Sequence, residues 1–249
     1  MSSNTKTVLF LGASTGVGLA ALRHTLATGH QCIALCRTPS KLTDILPAAA
    51  NPNLRVVQGN AHNAAAVSSC LLTNKLEDAG GSSLVDIVVS TIGGKPIVSK
   101  MTIDDPNVCR RGMAALLEAL AQLRRDGATG RPLIIACSGR GASRFGRDYP
   151  LSLYPLYEWA LKVPMEDKKI MEDALTESGE DFAIVRPTVL VDGESDKTIR
   201  VGIEDPKKGR ESKAIGYTIS REDTGRWVAE NLVLKCESKY FNKCIDVTY

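Results

Sequence analysis

The stretch VLFLGASTGVGLAAL, residues 8–22, decides the fold. An apolar run ends at Gly12, Gly16 and Gly18, and the apolar residues beyond them resume with helical spacing. Arranged as G-x-x-x-G-x-G between a strand and a helix, these glycines allow a tight turn and leave the backbone bare. The helix that follows aims its first N–H groups at whatever anion approaches. A pyrophosphate needs all of these features, so Gly12, Ser14, Thr15, Gly16, Val17 and Gly18 are read as the cradle of a dinucleotide. Glycines also serve tight turns and helix packing; the placement in the first strand–helix unit is what favours a cofactor.

Working outward, apolar and β-rich runs recur at 7–12, 31–36, 54–59, 85–91, 132–138 and 182–190. They are continuous rather than alternating, as expected of strands covered on both faces. Helical spacing fills the intervals at about 16–28, 62–73, 109–126 and 164–178. Such alternation predicts an α/β chain with the Rossmann doubly wound parallel sheet, helices on both faces, and a single domain over residues 1–249. After the sixth run the texture changes. Residues 191–217, VDGESDKTIRVGIEDPKKGRESKAIGY, are polar and charged. They are expected to be an irregular or hairpin segment that, with the rest of 191–249, completes a substrate pocket. Ser220-Arg-Glu-Asp223 predicts a capped helix start, and NKCIDVTY (242–249) a closing strand.

Composition narrows the function. Of 249 residues 43% are apolar and 24% charged, and the net charge of +3 is too small to imply nucleic acid or an anionic membrane as partner. The 31 Lys and Arg are scattered in short doublets rather than gathered into a patch. Seven cysteines, with no C-x-x-C, predict reduced thiols and a cytoplasmic setting. His24, His30 and His62 lack metal-site spacing, so no metal is expected. The polar lead MSSNTKT runs straight into a strand, and no apolar stretch nears the ~20 residues of a spanning helix.

Later strand ends converge on the same cleft. Arg37 follows the second run, and no Asp or Glu stands between residues 20 and 43. A basic residue here accommodates a ribose 2′-phosphate, so NADP(H) is favoured over NAD(H), with Lys41, Ser14 and Thr15 assisting. Asn60 is placed for the adenine edge. Thr91, Ile92 and Gly93 offer small or apolar groups where ribose and nicotinamide pass.

GASTGVG (12–18) resembles the cofactor fingerprint of the short-chain dehydrogenases/reductases, and IIACSG (134–139) puts Ser138 where that family keeps its catalytic serine. AIVRPTVLVDG (183–193) and GYTISREDTGRWVAENL (216–232) resemble the atypical, NmrA-like branch, fungal members above all. The resemblance spans essentially the whole chain and implies cofactor contacts at Ser138, Lys168 and Pro187. The family's active site reads Tyr-x-x-x-Lys, often continued as x-x-x-Glu on the helix before VRP. That frame sets Lys168 on the lysine and Glu172 on the glutamate, and drops Pro164 onto the tyrosine.

With the acid missing, other catalytic candidates arise nearby. Tyr154 and Tyr157 lie upstream, either presented to a substrate or packed with Trp159 as an aromatic lid. Asp167 is a candidate acid or base beside Lys168, or a first-turn aspartate favoured by the helix dipole. Arg140 and Arg144 are read as anion-binding or solvating arms of a flexible loop. Three functions follow: an NADP(H)-dependent oxidoreductase on a small or medium hydrophobic metabolite, an isomerase or cyclase that retains its cofactor, and a redox sensor without catalysis. Monomer and dimer are equally compatible with the sequence.

Overall fold

The six apolar runs supply the parallel strands β1 (Thr7–Leu11), β2 (Gln31–Cys36), β3 (Leu54–Gln58), β4 (Ile87–Ser90), β5 (Leu133–Cys137) and β6 (Phe182–Pro187). They lie in the order β3-β2-β1-β4-β5-β6. The computed structural model describes residues 5–73, 82–97 and 102–249. From β1 the chain winds outward to β3 and then returns to the other side of β1 as β4. The carboxyl ends of β1 and β4 therefore flank a switch point, where open α/β sheets bind their ligands. Register keeps those ends level: Leu11 pairs with Ser90, and Ser90 with Ala136.

Four helices occupy the crossovers: α1 (Gly16–Ala27), α2 (Ala64–Leu71), α3 (Val108–Arg125) and α4 (Lys162–Glu177). Each falls within two residues of its predicted span at either end. The helix α2 begins two residues late because the Asn63 side chain accepts the Ala66 N–H and caps it there. One core lies on the α1 face around Phe10, Leu22 and Val185. The other packs Leu11, Leu116, Leu120 and Ile184 between the sheet and the helices α2, α3 and α4.

The sixth run is not the single strand expected over 182–190. Pro187, without an N–H to extend a ladder, ends β6, and β7 (Val189–Val191) leaves the main sheet to pair with β10 (Thr218–Ser220). The segment 191–217 takes the hairpin form, one of the two expected for it. Its strands β8 (Arg200–Asp205) and β9 (Gly209–Arg210) form a hairpin that joins the main sheet through β11 (Lys243–Thr248). The strand β11 runs parallel to β6, while β8 runs antiparallel to β11. The full order is β9-β8-β11-β6-β5-β4-β1-β2-β3.

The last helix, α5 (Arg221–Val228), starts at the predicted cap, where the Ser220 hydroxyl accepts the Asp223 N–H at 2.9 Å. It packs closely on α1. A methyl group on Gly225 would stand 2.6 Å from the Val17 carbonyl oxygen and the Ala21 nitrogen.

Candidate cofactor cradle and active site

The glycines of the first turn divide into two kinds. The Thr91 N–H donates to Leu11 O at 2.8 Å, and its hydroxyl donates to Gly12 O at 3.1 Å, so the end of β4 lies directly on the loop. A methyl on Gly12, which holds φ +88°, would meet the Thr91 carbonyl carbon at 2.9 Å. One on Gly18 would come within 2.7 Å of Gly12 O. These two glycines admit neighbouring protein. Gly16, at φ +58°, faces space instead: a methyl there meets only the Arg221 side chain. The Thr15 hydroxyl makes no capping bond, and the first turn of α1 holds no acidic residue. Bare backbone, uncapped helix N–H groups and an open glycine fit an anionic diphosphate.

Apart from those in the turn itself, the remaining cofactor candidates lie at or beyond the carboxyl ends of the strands. Ser14 is half-buried, Thr15 exposed, and Val17 buried on the inner side of α1. Arg37 is exposed immediately after β2 with no ionic partner among the described residues, and Lys41 is exposed one short turn on. Asn60 accepts the His62 N–H at 3.1 Å, shaping the turn into α2. Ile92 packs on Gly112, while Gly93 is exposed with open space around its Cα. Pro187 is buried at the end of β6.

At the carboxyl end of β5 the structure brings Ser138 and Lys168 together. The Lys168 Nζ donates to Ser138 O at 2.9 Å and to Cys137 O at 3.3 Å. The Ser138 hydroxyl is buried and has no hydrogen-bond partner among the described residues. Pro164 stands in the first turn of α4, where proline is tolerated because the N–H would be unpaired anyway. That turn carries no phenol.

Three expectations are corrected. Asp167 is 0% exposed and is fully engaged: it accepts the N–H of Cys109 at 2.7 Å, the N–H of Arg110 at 3.1 Å and Arg110 Nε at 2.8 Å. It caps α3 rather than its own helix, so its carboxylate is a staple and not an acid or base. The aromatic lid does not form. Residues 151–160 fold into short 3-10 and π turns that send Tyr157 inward, stacked on Tyr149 with centroids 4.1 Å apart. Burial pushes the Tyr157 phenol above its ordinary range. Tyr154 (49% exposed) and Trp159 (75%) point outward instead, and neither Tyr154 nor Tyr157 bonds to Ser138 or Lys168. Lastly, Arg140 is no flexible arm. It is 1% exposed, pairs with Asp246 at 2.8 Å and donates to Asp148 O at 2.9 Å. Arg144 pairs with Asp173 at the surface.

Sequence reasoning missed the buried charges beneath the pocket. Arg186, in the VRP run, donates through Nε and Nη2 to Glu172 at 3.0 and 2.5 Å and through Nη1 to Glu204 at 2.6 Å. Glu204 also accepts the Ser143 hydroxyl at 2.5 Å and Arg210 Nε at 3.3 Å. The network ties the loop after β5 and the β8–β9 hairpin to the sheet. A charged residue inside a continuous apolar run was the available signal. Burial raises the Asp246 carboxyl from 3.8 to about 7, against the pull of Arg140. Among the described residues no group of His, Cys, Asp or Glu is placed to hold a metal, and no helix is long and apolar enough to cross a membrane. All seven cysteines are free thiols.

Known proteins share this layout. A family model described as NAD(P)H-binding matches residues 12–233. The chain is 39% identical to Reductase pytE of Aspergillus terreus over 100% of both sequences. It is 33% identical to Oxidase pynE of Aspergillus niger over 97% of this chain and 98% of that one. Among solved structures, a short-chain dehydrogenase/reductase (wide type) from Veillonella parvula in complex with NADP superposes with a TM-score of 0.70 at 17% identity, covering 98% of this chain and 94% of that one. The anaerobilin reductase ChuY of Escherichia coli O157:H7 gives a TM-score of 0.64 at 18% identity, covering 97% and 96%. At these identities the two structures testify to the fold alone.

Proposed function

The chain belongs to the NAD(P)H-binding family, in the atypical branch of the short-chain dehydrogenases/reductases, and from that premise we propose an NADP(H)-dependent reductase of a small or medium-sized hydrophobic metabolite, working in the cytoplasm. One observation carries the reading. Lys168 is anchored on the carbonyls at the end of β5, beside a buried Ser138 hydroxyl that no group among the described residues satisfies, one strand from the cradle. An unpartnered buried hydroxyl is costly unless a ligand completes it.

The cofactor, when bound, supplies the hydride. Ser138 offers a hydrogen bond to the substrate's polar atom, and Lys168 places a positive charge where the nicotinamide ribose and the reacting group meet. Arg37, exposed and without an ionic partner at the end of β2, suits a 2′-phosphate and supports NADP(H) over NAD(H). A hydrophobic substrate suits the depression on the same edge of the sheet, lined by Pro150, Ile215, Tyr217 and Tyr249.

Pro164 in the tyrosine position favours a second reading. Without a phenol the protein reduces an acceptor that is already cationic, such as an iminium, or one that receives its proton from water; otherwise it retains the cofactor and catalyses isomerisation or cyclisation without net redox change. The relatives' names, a reductase and an oxidase, leave both directions of transfer in play. The test is a panel of ketones, enones and imines with NADPH, following product and reduced-nicotinamide absorbance together. The first reading expects NADPH loss matched to product, and a Lys168→Ala variant slower by about a hundredfold. Product without NADPH loss selects the redox-neutral reading, and no turnover of any class overturns the first.

A further inference from the structure

The glycine loop, residues 12–18, holds no basic residue. A helix N-terminus offers only about half a positive charge to a diphosphate, so the rest of the neutralisation has to come from elsewhere in the fold. Arg37 stands at the end of β2, on the adenosine side. The cation beside the loop is Arg221, the first residue of α5: a methyl built on Gly16 would lie 3.4 Å from Arg221 Cδ and 3.9 Å from its Nε. Apart from the flanking Thr15 and Val17, no other side chain among the described residues comes within 4 Å of that point.

Arg221 is held on a rigid base and by a loose partner. Ser220 caps the helix, Thr224 donates its hydroxyl to Ser220 O at 2.7 Å, and Tyr249 OH donates to Asp223. Gly225 then seats α5 against α1. The strands β7 and β10 run parallel with Val191 opposite Ser220, which sets the next residues, Asp192 and Arg221, face to face. Arg221 Nη1 donates to Asp192 Oδ1 at 2.8 Å. The Asp192 side chain is 91% exposed, so water competes for it and the pair is weak. The two acidic residues of the first turn of α5 are engaged elsewhere, Glu222 with Arg23 and His24, and Asp223 with Arg226 and Tyr249.

We propose that Arg221 is the cationic contact for the pyrophosphate of the bound dinucleotide, and that Asp192 occupies its guanidinium until the cofactor displaces it. The proposal rests on the family's dinucleotide binding and not on the reaction catalysed. Arg221 presents a planar fork suited to two phosphate oxygens, while the exposed carboxylate it leaves behind returns to water at little cost.

Binding of NADPH and of NADH to the full chain, measured by calorimetry without substrate, tests this. Arg221→Gln is expected to weaken both nucleotides about tenfold, with an unchanged melting temperature in the absence of nucleotide, and Arg221→Lys to recover part of the loss. Asp192→Asn is expected to tighten both about twofold by removing the competitor. Arg37→Ala supplies the contrast, weakening NADPH alone. Equal affinities for wild type and Arg221→Gln overturn the proposal. A loss confined to NADPH also overturns it, because Arg221 would then read the 2′-phosphate. An Asp192→Asn variant that binds no tighter than wild type overturns the displacement. Failure of the wild type to bind either nucleotide would be a failure of the family reading, seen before any variant is made.

Discussion

At the β1–β4 end of the sheet the candidate cradle is built of backbone, glycine and small hydroxyl residues, whereas at the β6–β11 end the chain buries Arg186, Glu172, Glu204, Arg140 and Asp246. The first region leaves its helix N–H groups open; the second pairs most of its polar atoms, with Arg140 Nε and Asp246 Oδ1 the exceptions among the described residues. A cofactor shared across a family needs a fixed, featureless cradle, and small residues provide it. A hairpin and a long loop set against a sheet need anchors, and ion pairs with multiple hydrogen bonds hold such segments in one register.

Breaking the charged region should produce the largest effect. Arg186→Met leaves Glu172 buried without its cation and Glu204 with only the more distant Arg210, and urea unfolding is expected to show a loss of about 3–5 kcal/mol. A loss below about 1 kcal/mol would mean that water already shares that network. The next effect depends on pH. Because the Asp246 carboxyl is raised to about 7 in the fold from 3.8, the folded state binds its proton more tightly than the unfolded chain. This contribution favours folding at low pH and is lost as pH rises from about 4 to about 7, with a slope of at most about 1.4 kcal/mol per pH unit. The stability difference between wild type and Asp246→Asn, followed across that range, should fall with that sign and level off above it. The smallest effect belongs to the cradle. Thr91→Val keeps the shape and removes the hydroxyl bonds to Leu11 O and Gly12 O, and should cost about 1 kcal/mol in the same unfolding measurement.

The same contrast explains what the sequence disclosed. The strands from Thr7 to Pro187, the four crossover helices and the Ser220 cap were legible because each is a local pattern: an apolar run, a 3.6-residue period, a hydroxyl three residues before its N–H. The glycine turn between β1 and α1 was legible because its glycines are close in sequence. What escaped depends on partners far apart. Asp167 reads locally as a first-turn aspartate, and only the packing of α3 on α4 shows that it caps the helix starting at Val108. Arg140 in a Gly-rich loop reads as mobile until β11 brings Asp246 beneath it. The tyrosines at 154 and 157 differ by three residues and face opposite ways, because two short turns of unequal pitch lie between Pro150 and Leu161.

The close seat of Gly225 on α1 has a thermodynamic consequence. The helix whose amino end carries the glycine turn is also the surface on which α5 and the turn after it (229–234) dock, so a ligand that orders one draws on the same free energy as the packing of the other. A nucleotide bound at that turn, as proposed above, would therefore protect a stretch of chain remote from it in sequence. By the same reciprocity, a substitution at position 225 weakens nucleotide binding without touching the nucleotide, a coupling that a list of contacts around the ligand would not reveal.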